Sequence, residues 1–240
     1  MITINRSGNI LALDAASTAC SACIAKDGHI LSSIFINNKL THSQTLLPSV
    51  ERVFAAASMT VGDLDAIAIT TGPGSFTGVK IAVCTAKGLA FANDIPCIAI
   101  SSQEALAYNL RRANGIICTV MDARRNQFYN ALFKCVNGTI SRITEDRQIS
   151  AESLLNELKE FNEASVYLTG DGTYIINDYL KNNSFSASCA EESMLYIKAE
   201  SIIMAITAGV GQVVNSEMLI PIYLRPPQAE RELLEKQKQK

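Results

Sequence analysis

Asp14 and Asp122 each close an apolar run, Ile10-Leu11-Ala12-Leu13 in one case and residues 116–121 in the other. A carboxylate at the end of a buried strand can hold a metal–phosphate if backbone amides in the next turn come close enough to share the charge. Neither turn carries the glycine that such an approach needs: Ala15-Ala16-Ser17-Thr18 follows the first aspartate and Ala123-Arg124-Arg125 the second. A second phosphate signal is Gly72-Pro73-Gly74-Ser75-Phe76-Thr77-Gly78, set between an apolar strand and a helix. It fits neither nucleotide template. A P-loop needs Lys directly after its last glycine, then Ser or Thr, whereas Lys80 stands one place further and Ile81 follows it; for the dinucleotide fingerprint the loop has one residue too many. The plain reading is a tight helix entry capped by Ser75 or Thr77, or a protein contact. A later turn, Thr169-Gly170-Asp171-Gly172, adds two more glycines. Asp14, Asp122, Gly170 and Gly172 together mark a vestigial nucleotide site, with a structural or ancestral role.

Other catalytic sets fare worse. The two histidines, His29 and His42, form no H-x-x-x-H or H-E-x-x-H pair, which excludes a helical two-histidine zinc site. G-x-S-x-G is absent, since Phe76 stands where its serine would be. No cysteine sits at a recognisable nucleophile turn, although a Cys–His pair stays open. Cys20 and Cys23 form a lone C-x-x-C; on a strand their side chains alternate faces, so they read as small buried hydrophobes.

The elements that must position these residues follow from periodicity and turn chemistry. Strands are expected at 10–14, 19–26 and 29–37, with Asp27-Gly28 as hairpin turn. A helix follows at 41–58, capped by Ser43 or Thr45, with Pro48 tolerated near its first turn. Next come a buried strand at 65–71, a helix at 77–93 and a strand at 95–100. The pattern then restarts: strands at 116–122, 127–135 and 139–148 with Asn137-Gly138 as hairpin turn, a helix at 151–161 and a strand at 165–169. Asp14 and Asp122 are 108 residues apart, and the hairpin glycines Gly28 and Gly138 are 110 apart. This points to a duplication, two similar α/β lobes with meanders and parallel crossovers. A helix at 193–209, a short strand at 220–224 and a solvated tail complete the expectation.

The 240 residues carry 21 basic and 23 acidic side chains, with 48% hydrophobic and 18% charged content. That is the make-up of a soluble globular protein without a basic surface for unaided nucleic-acid binding. The longest apolar stretch, 202–214, falls short of the roughly 20 residues of a membrane span. Seven scattered cysteines fit reduced thiols, and the expectation is a cytoplasmic protein.

The helix at 77–93 is apolar almost all round. Val79, Ala82, Val83, Ala86 and Ala90 form one stripe; Ile81, Cys84, Gly88 and Phe91 form another, with Lys80 and Lys87 on one flank. Its own sheet can cover the first. The second calls for another helix, and Cys84 and Gly88 are small enough to admit one. On the helix at 41–58, Leu46, Leu47, Val50, Val53, Phe54 and Ala57 face inward, while Ser49, Arg52 and Ala56 leave a low outer face. The two helices are therefore candidates for a subunit interface. His42 and the loop residues Gly74, Ser75, Phe76 and Thr77 adjoin them. The open alternative is that the chain's own helices cover the second stripe; an uncovered face also makes a homodimer plausible.

The run GPGSFTGVKIAV at 72–83 resembles, nearly residue for residue, the signature of the bacterial TsaB (YeaZ) family. ILALDAA at 10–16, HSQTLLP at 42–48, Asp122-Ala123-Arg124 and PIYLR at 221–225 resemble its other landmarks in order, so the likeness spans about 10 to 225. The departures are Ala15-Ala16, where the family often has Thr-Ser or Thr-Ala, and Lys80, where Arg is usual. The resemblance implies an α/β fold with two ribonuclease-H-like lobes of the actin/Hsp70/sugar-kinase (ASKHA) superfamily: an N-terminal lobe at 1–105 with the 193–209 helix packed on it, a C-terminal lobe at 106–225 and a frayed tail at 226–240. It implies a part in making threonylcarbamoyladenosine in tRNA, beside the anticodon, as a noncatalytic partner that pairs with TsaD through first-lobe helices. The ATPase TsaE would join the assembly, and tRNA would be met through the complex. The chain would have no cofactor of its own, ATP and metal being held by the partner subunits. An old glycoprotease label on some relatives gains no support without a histidine pair. The competing class is a stand-alone nucleotide-dependent enzyme of the same superfamily, using Asp14 and the 72–78 loop.

Overall fold

The computed structural model describes residue 6, residues 8–161 and residues 164–225. The chain opens with β1 (Asn9–Asp14), β2 (Cys20–Lys26) and β3 (His29–Ile36), an antiparallel meander turned at Asp27-Gly28. Helix α1 (His42–Ala57) leads to β4 (Ala66–Thr70), α2 (Phe76–Phe91), β5 (Cys97–Ile100) and the short α3 (Ser102–Ala107). β4 lies parallel to β1 and β5 parallel to β4. β1 and β4 sit inside the sheet, covered on both faces, which is why they are continuous apolar runs rather than alternating ones.

The same path is then repeated. β6 (Gly115–Asp122) pairs antiparallel with β7 (Gln127–Val136), which carries β8 (Thr139–Arg142) and β9 (Arg147–Ser150). Helix α4 (Ala151–Leu158) leads to β10 (Val166–Thr169), parallel to β6, then α5 (Thr173–Asn182) and β11 (Ser188–Cys189). Finally α6 (Ala199–Thr207) and β12 (Gln212–Val214) return to the first sheet. The sheet orders are β12-β5-β4-β1-β2-β3 and β11-β10-β6-β7-β8. Without β12 and β9 the two sheets share one topology, so the duplication read from the spacing of Asp14 and Asp122 is real.

α1 and α2 cover one face of the first sheet and α6 the other. Neighbouring residues of β3 show the two sides: Ser32 Oγ donates to the Val53 carbonyl of α1 at 2.7 Å, and Ser33 Oγ to Glu200 Oε1 of α6 at 2.5 Å. The first lobe's core is built on Leu11, Leu13, Ile24, Leu46, Ile67 and Ile98, and the second lobe's on Val120, Phe128, Leu132, Leu168 and Ile176.

Several elements differ from expectation. Thr41 caps α1, in place of Ser43 or Thr45, with Gln44 Oε1 accepting from Thr41 N at 3.3 Å. Pro48 lies inside the helix, and burial of Leu46, Val50 and Val53 carries α1 through it. The 139–148 strand is two strands, broken at a corner where Ile143 N and Thr144 N both donate to the Leu132 carbonyl. α4 stops at Leu158 and passes into a 3-10 turn at Lys159–Phe161. Only 199–207 of the expected 193–209 helix is α-helical, preceded by a separate 3-10 turn at Glu192–Met194. Asn109 Nδ2 donates to the carbonyls of Met194 and Tyr196, at 2.9 and 2.8 Å, and holds that stretch out of the helix. Residues 220–224 form no ladder, since Pro221 lacks an N–H and Ile222 N donates instead to Thr71 O at 2.7 Å. The last strand is β12, antiparallel to β5. Residues 226–240, expected as a tail, lie outside the described residues.

The turn after β10 sets a test. Gly170 has φ +120°, and a Cβ there would stand 1.9 Å from the Val120 carbonyl oxygen. Gly88, in the last turn of α2, would meet nothing within 4 Å. Gly170→Ala is expected to cost roughly 2–4 kcal/mol in urea unfolding. Gly88→Ala should instead add about 1 kcal/mol through helix propensity.

Candidate functional site: the 72–78 loop, the outer face of α2 and the interlobe cleft

The 72–78 loop lies directly on the turn after β1. Ser75 N donates to Ala16 O at 2.7 Å, and Ser75 Oγ caps α2 by accepting from Gly78 N at 3.3 Å. A Cβ at Gly74 would come within 2.3 Å of Ala16 O, and one at Gly78 within 2.1 Å of Ala15 O. The glycines of this loop thus admit a neighbouring backbone, and the amides of Ser75 and Gly78 are already bonded within the chain. His42 joins the same knot: its Nε2 lies 2.8 Å from Ser17 O, and its ring edge flanks Gly78. It is half-buried, with Nδ1 unpartnered among the described residues.

This anchoring aims α2. Val79, Ala82, Val83, Ala86 and Ala90 are buried against the sheet. On the opposite side Thr77, Lys80, Cys84 and Gly88 are exposed, Ile81 and Lys87 are half-buried, and Phe91 is 76% exposed. Of the second apolar stripe, Cys84, Gly88 and Phe91 are therefore left uncovered by the described residues, whereas Ile81 packs in part against the first lobe's core. On α1, Arg52 and Ala56 are exposed as expected. Ser49 is not: it is fully buried, with Oγ donating to Thr45 O at 2.7 Å. It sits three residues after Leu46 and four before Val53, inside the buried stripe, so it leaves the outer face. Leu47, expected inside, is 49% exposed instead.

Between the lobes lies a cavity of about 490 Å³, lined in part by Ser17, Gly74 to Thr77, Asp122, Arg124, Asp171, Tyr223 and Arg225. Asp122 is exposed there, its Oδ1 accepting from Arg124 N at 2.7 Å. Asp14 is sealed off behind it. Its Oδ1 accepts from Thr70 Oγ1 at 2.5 Å and from Ala16 N at 3.2 Å, while Oδ2 has no partner among the described residues. Burial pushes its carboxyl up to about 7, against the pull of those two hydrogen bonds. Asp171, facing it across the lobes, is pushed up to about 6, again chiefly by burial; its Oδ1 accepts from Asp122 N at 2.9 Å. Gly170 and Gly172 pack against Val120 and Phe128, and Gly172 N donates to Val120 O at 3.1 Å. Of the four residues of the expected vestigial site only Asp122 lines the cleft; Asp14 and the two glycines are committed to the chain's own packing. Asp171 escaped the sequence reading, its one signal being its place between two glycines. Residues 223–225, at the end of the expected 220–224 strand and just beyond it, also border the cleft: Arg225 Nη1 donates to Ala123 O at 2.5 Å.

Comparison with known proteins agrees with this geometry. The family model described as "TsaD: tRNA N6-adenosine threonylcarbamoyltransferase" matches residues 29–232. The tRNA threonylcarbamoyladenosine biosynthesis protein TsaB of Bacillus subtilis is 31% identical over 95% of this chain and 99% of its own length. The chain belongs to the TsaB (YeaZ) family. The TsaB of Escherichia coli K12 is 28% identical over 90% of this chain and 94% of that protein. The solved structure of YeaZ from Pseudomonas aeruginosa is 27% identical, with a TM-score of 0.76 over 90% of this chain and all of its own. The fold is accordingly the α/β fold of the ASKHA superfamily, with a ribonuclease-H-like sheet in each lobe.

The Asp14 carboxyl gives a pH signature. Its folded pKa, about 7, exceeds the ordinary 3.8, so between those values the folded chain holds a proton that the unfolded chain has released. The contribution is complete below about pH 3.8, fades as pH rises and is gone above about 7. Asp14→Asn does not titrate. Wild type should therefore lose stability relative to it by on the order of 4 kcal/mol between those limits, measured by urea unfolding at stepped pH.

Proposed function

We propose that the chain is a noncatalytic subunit that binds and activates TsaD in the formation of threonylcarbamoyladenosine in tRNA, beside the anticodon. A part in tRNA threonylcarbamoyladenosine biosynthesis follows from the family. The observation that carries the finer reading is the uncovered outer side of α2, where Cys84 and Gly88 are exposed and Phe91 projects at 76% exposure. Arg52 and Ala56 of α1 extend that face, and a helix of TsaD can approach closely over the small residues. TsaE would join the assembly, tRNA would be reached through it, and ATP and metal would be held by the partner subunits. In the absence of TsaD the same face is open to self-association. The setting is the cytoplasm; no helix among the described residues is long and apolar enough to cross a membrane.

A stand-alone nucleotide-dependent enzyme would need Asp14 and the 72–78 loop free for metal and phosphate. The buried Asp14 carboxyl and the bonded Ser75 and Gly78 amides speak against it.

Mixing the chain with TsaD should give a complex of summed mass and restore modification in vitro, while the chain alone hydrolyses no ATP above background. Cys84→Arg and Gly88→Arg should each weaken pairing about tenfold or more without changing the circular dichroism. Unchanged affinity in both variants, or ATP turnover by the chain alone that Asp14→Ala abolishes, refutes the reading.

A further inference from the structure

The segment beyond β12 runs beside α2 rather than back into a sheet. Lys87 Nζ donates to Glu217 O at 3.1 Å towards the far end of the helix, and the Tyr223 ring lies on Phe76, centroids 4.5 Å apart, at its start. Helix and strap are thus antiparallel neighbours, with the strap pinned at one end by Ile222 N on Thr71 O. Along it the side chains alternate. Leu219 is 1% exposed, whereas Met218, Ile220 and Ile222 are 67%, 65% and 48% exposed. Among the described residues the three most exposed large apolar side chains are Phe91, Met218 and Ile220, and all belong to this one surface. Single exposed apolar residues need no explanation, but a contiguous group does.

Its charges are one-sided at the centre. α2 carries Lys80 and Lys87 and no acid; on the flanking elements Arg52 of α1 stands next to Glu51, and Glu217 lies on the strap. Twofold pairing of two copies across α2 would set the lysines of one against those of the other.

We infer that the partner-binding surface continues from α2 onto the strap at 217–223, and that it fits a different chain, one presenting apolar groups rimmed by carboxylates, better than a second copy. This rests on the reading that TsaD occupies the α2 face, and extends it. Met218, Ile220 and Ile222 add an apolar ridge parallel to the helix, and Lys80 supplies the cation that the partner's acids meet.

The test is the affinity of the full chain for TsaD, by calorimetry, at about 0.05 M and about 0.5 M salt. Met218→Asp and Ile220→Asp change exposed residues and should each weaken binding about tenfold, with unaltered thermal midpoints. Lys80→Glu should weaken binding and flatten its salt dependence. Strap variants that bind like wild type, while Gly88→Arg binds weakly, overturn the extension and leave the proposed function standing. If Gly88→Arg also binds like wild type, the reading of the α2 face itself falls. Affinity that does not fall with salt removes the carboxylate rim. Sedimentation of the chain alone checks the other occupant: a dimer tighter than the TsaD complex, and dissolved by Ile220→Asp, makes a second copy the occupant.

Discussion

The close approach of the 72–78 loop to the turn after β1 is the constraint on which the rest of the first lobe depends. Gly74 and Gly78 let that loop settle on the carbonyls of Ala16 and Ala15 at distances no side chain would allow. Once Ser75 N is bonded to Ala16 O, the direction of α2 is set, and so is the division between its buried and open sides. The same contact consumes the amides that a phosphate would need, since a nest of N–H groups binds anions only while its donors are free. One piece of packing therefore closes a chemical use of the loop and holds a surface in place for a different one.

The two lobes share a topology but not a burden. In the first, the helices on one side of the sheet keep an apolar face turned to solvent. In the second, α4 and α5 turn Leu154, Leu155, Leu158, Ile176 and Leu180 into its core. Where the lobes meet, the strand-end aspartates have diverged: Asp14 is buried beneath Thr70 and Ala16, while Asp122 is exposed and organises the Arg124 turn. A duplicated site whose halves are built this differently no longer offers a matched pair of carboxylates to one ligand.

Much of this was legible in the sequence because it is local. Hairpin turns at Asp27-Gly28 and Asn137-Gly138, buried strands and the two stripes of α2 are written in neighbouring residues. What stayed hidden depends on partners far along the chain. Nothing near Met194 and Tyr196 says that the amide of Asn109 will take their carbonyls and shorten the following helix. Nothing near Ile220 says that the chain there will lie beside α2 rather than join a sheet, although Pro221 argued against a ladder. Ser49 is hidden for a different reason: a serine reads as surface, but a small residue whose hydroxyl bonds Thr45 O fits a core stripe without loss. Asp171 is hidden for the same reason as Ile220: its burial at the cleft is set by segments far along the chain, not by its neighbours Gly170 and Gly172.

The return of α6 and β12 to the first sheet makes the second lobe an insertion within the first. During synthesis β5 remains an outer strand with bare backbone until residues 212–214 arrive, after every strand of the other lobe has been made. The inserted lobe can fold as a continuous stretch, whereas its host must wait for the end of the chain, with an unpaired edge open to mispairing in the meantime.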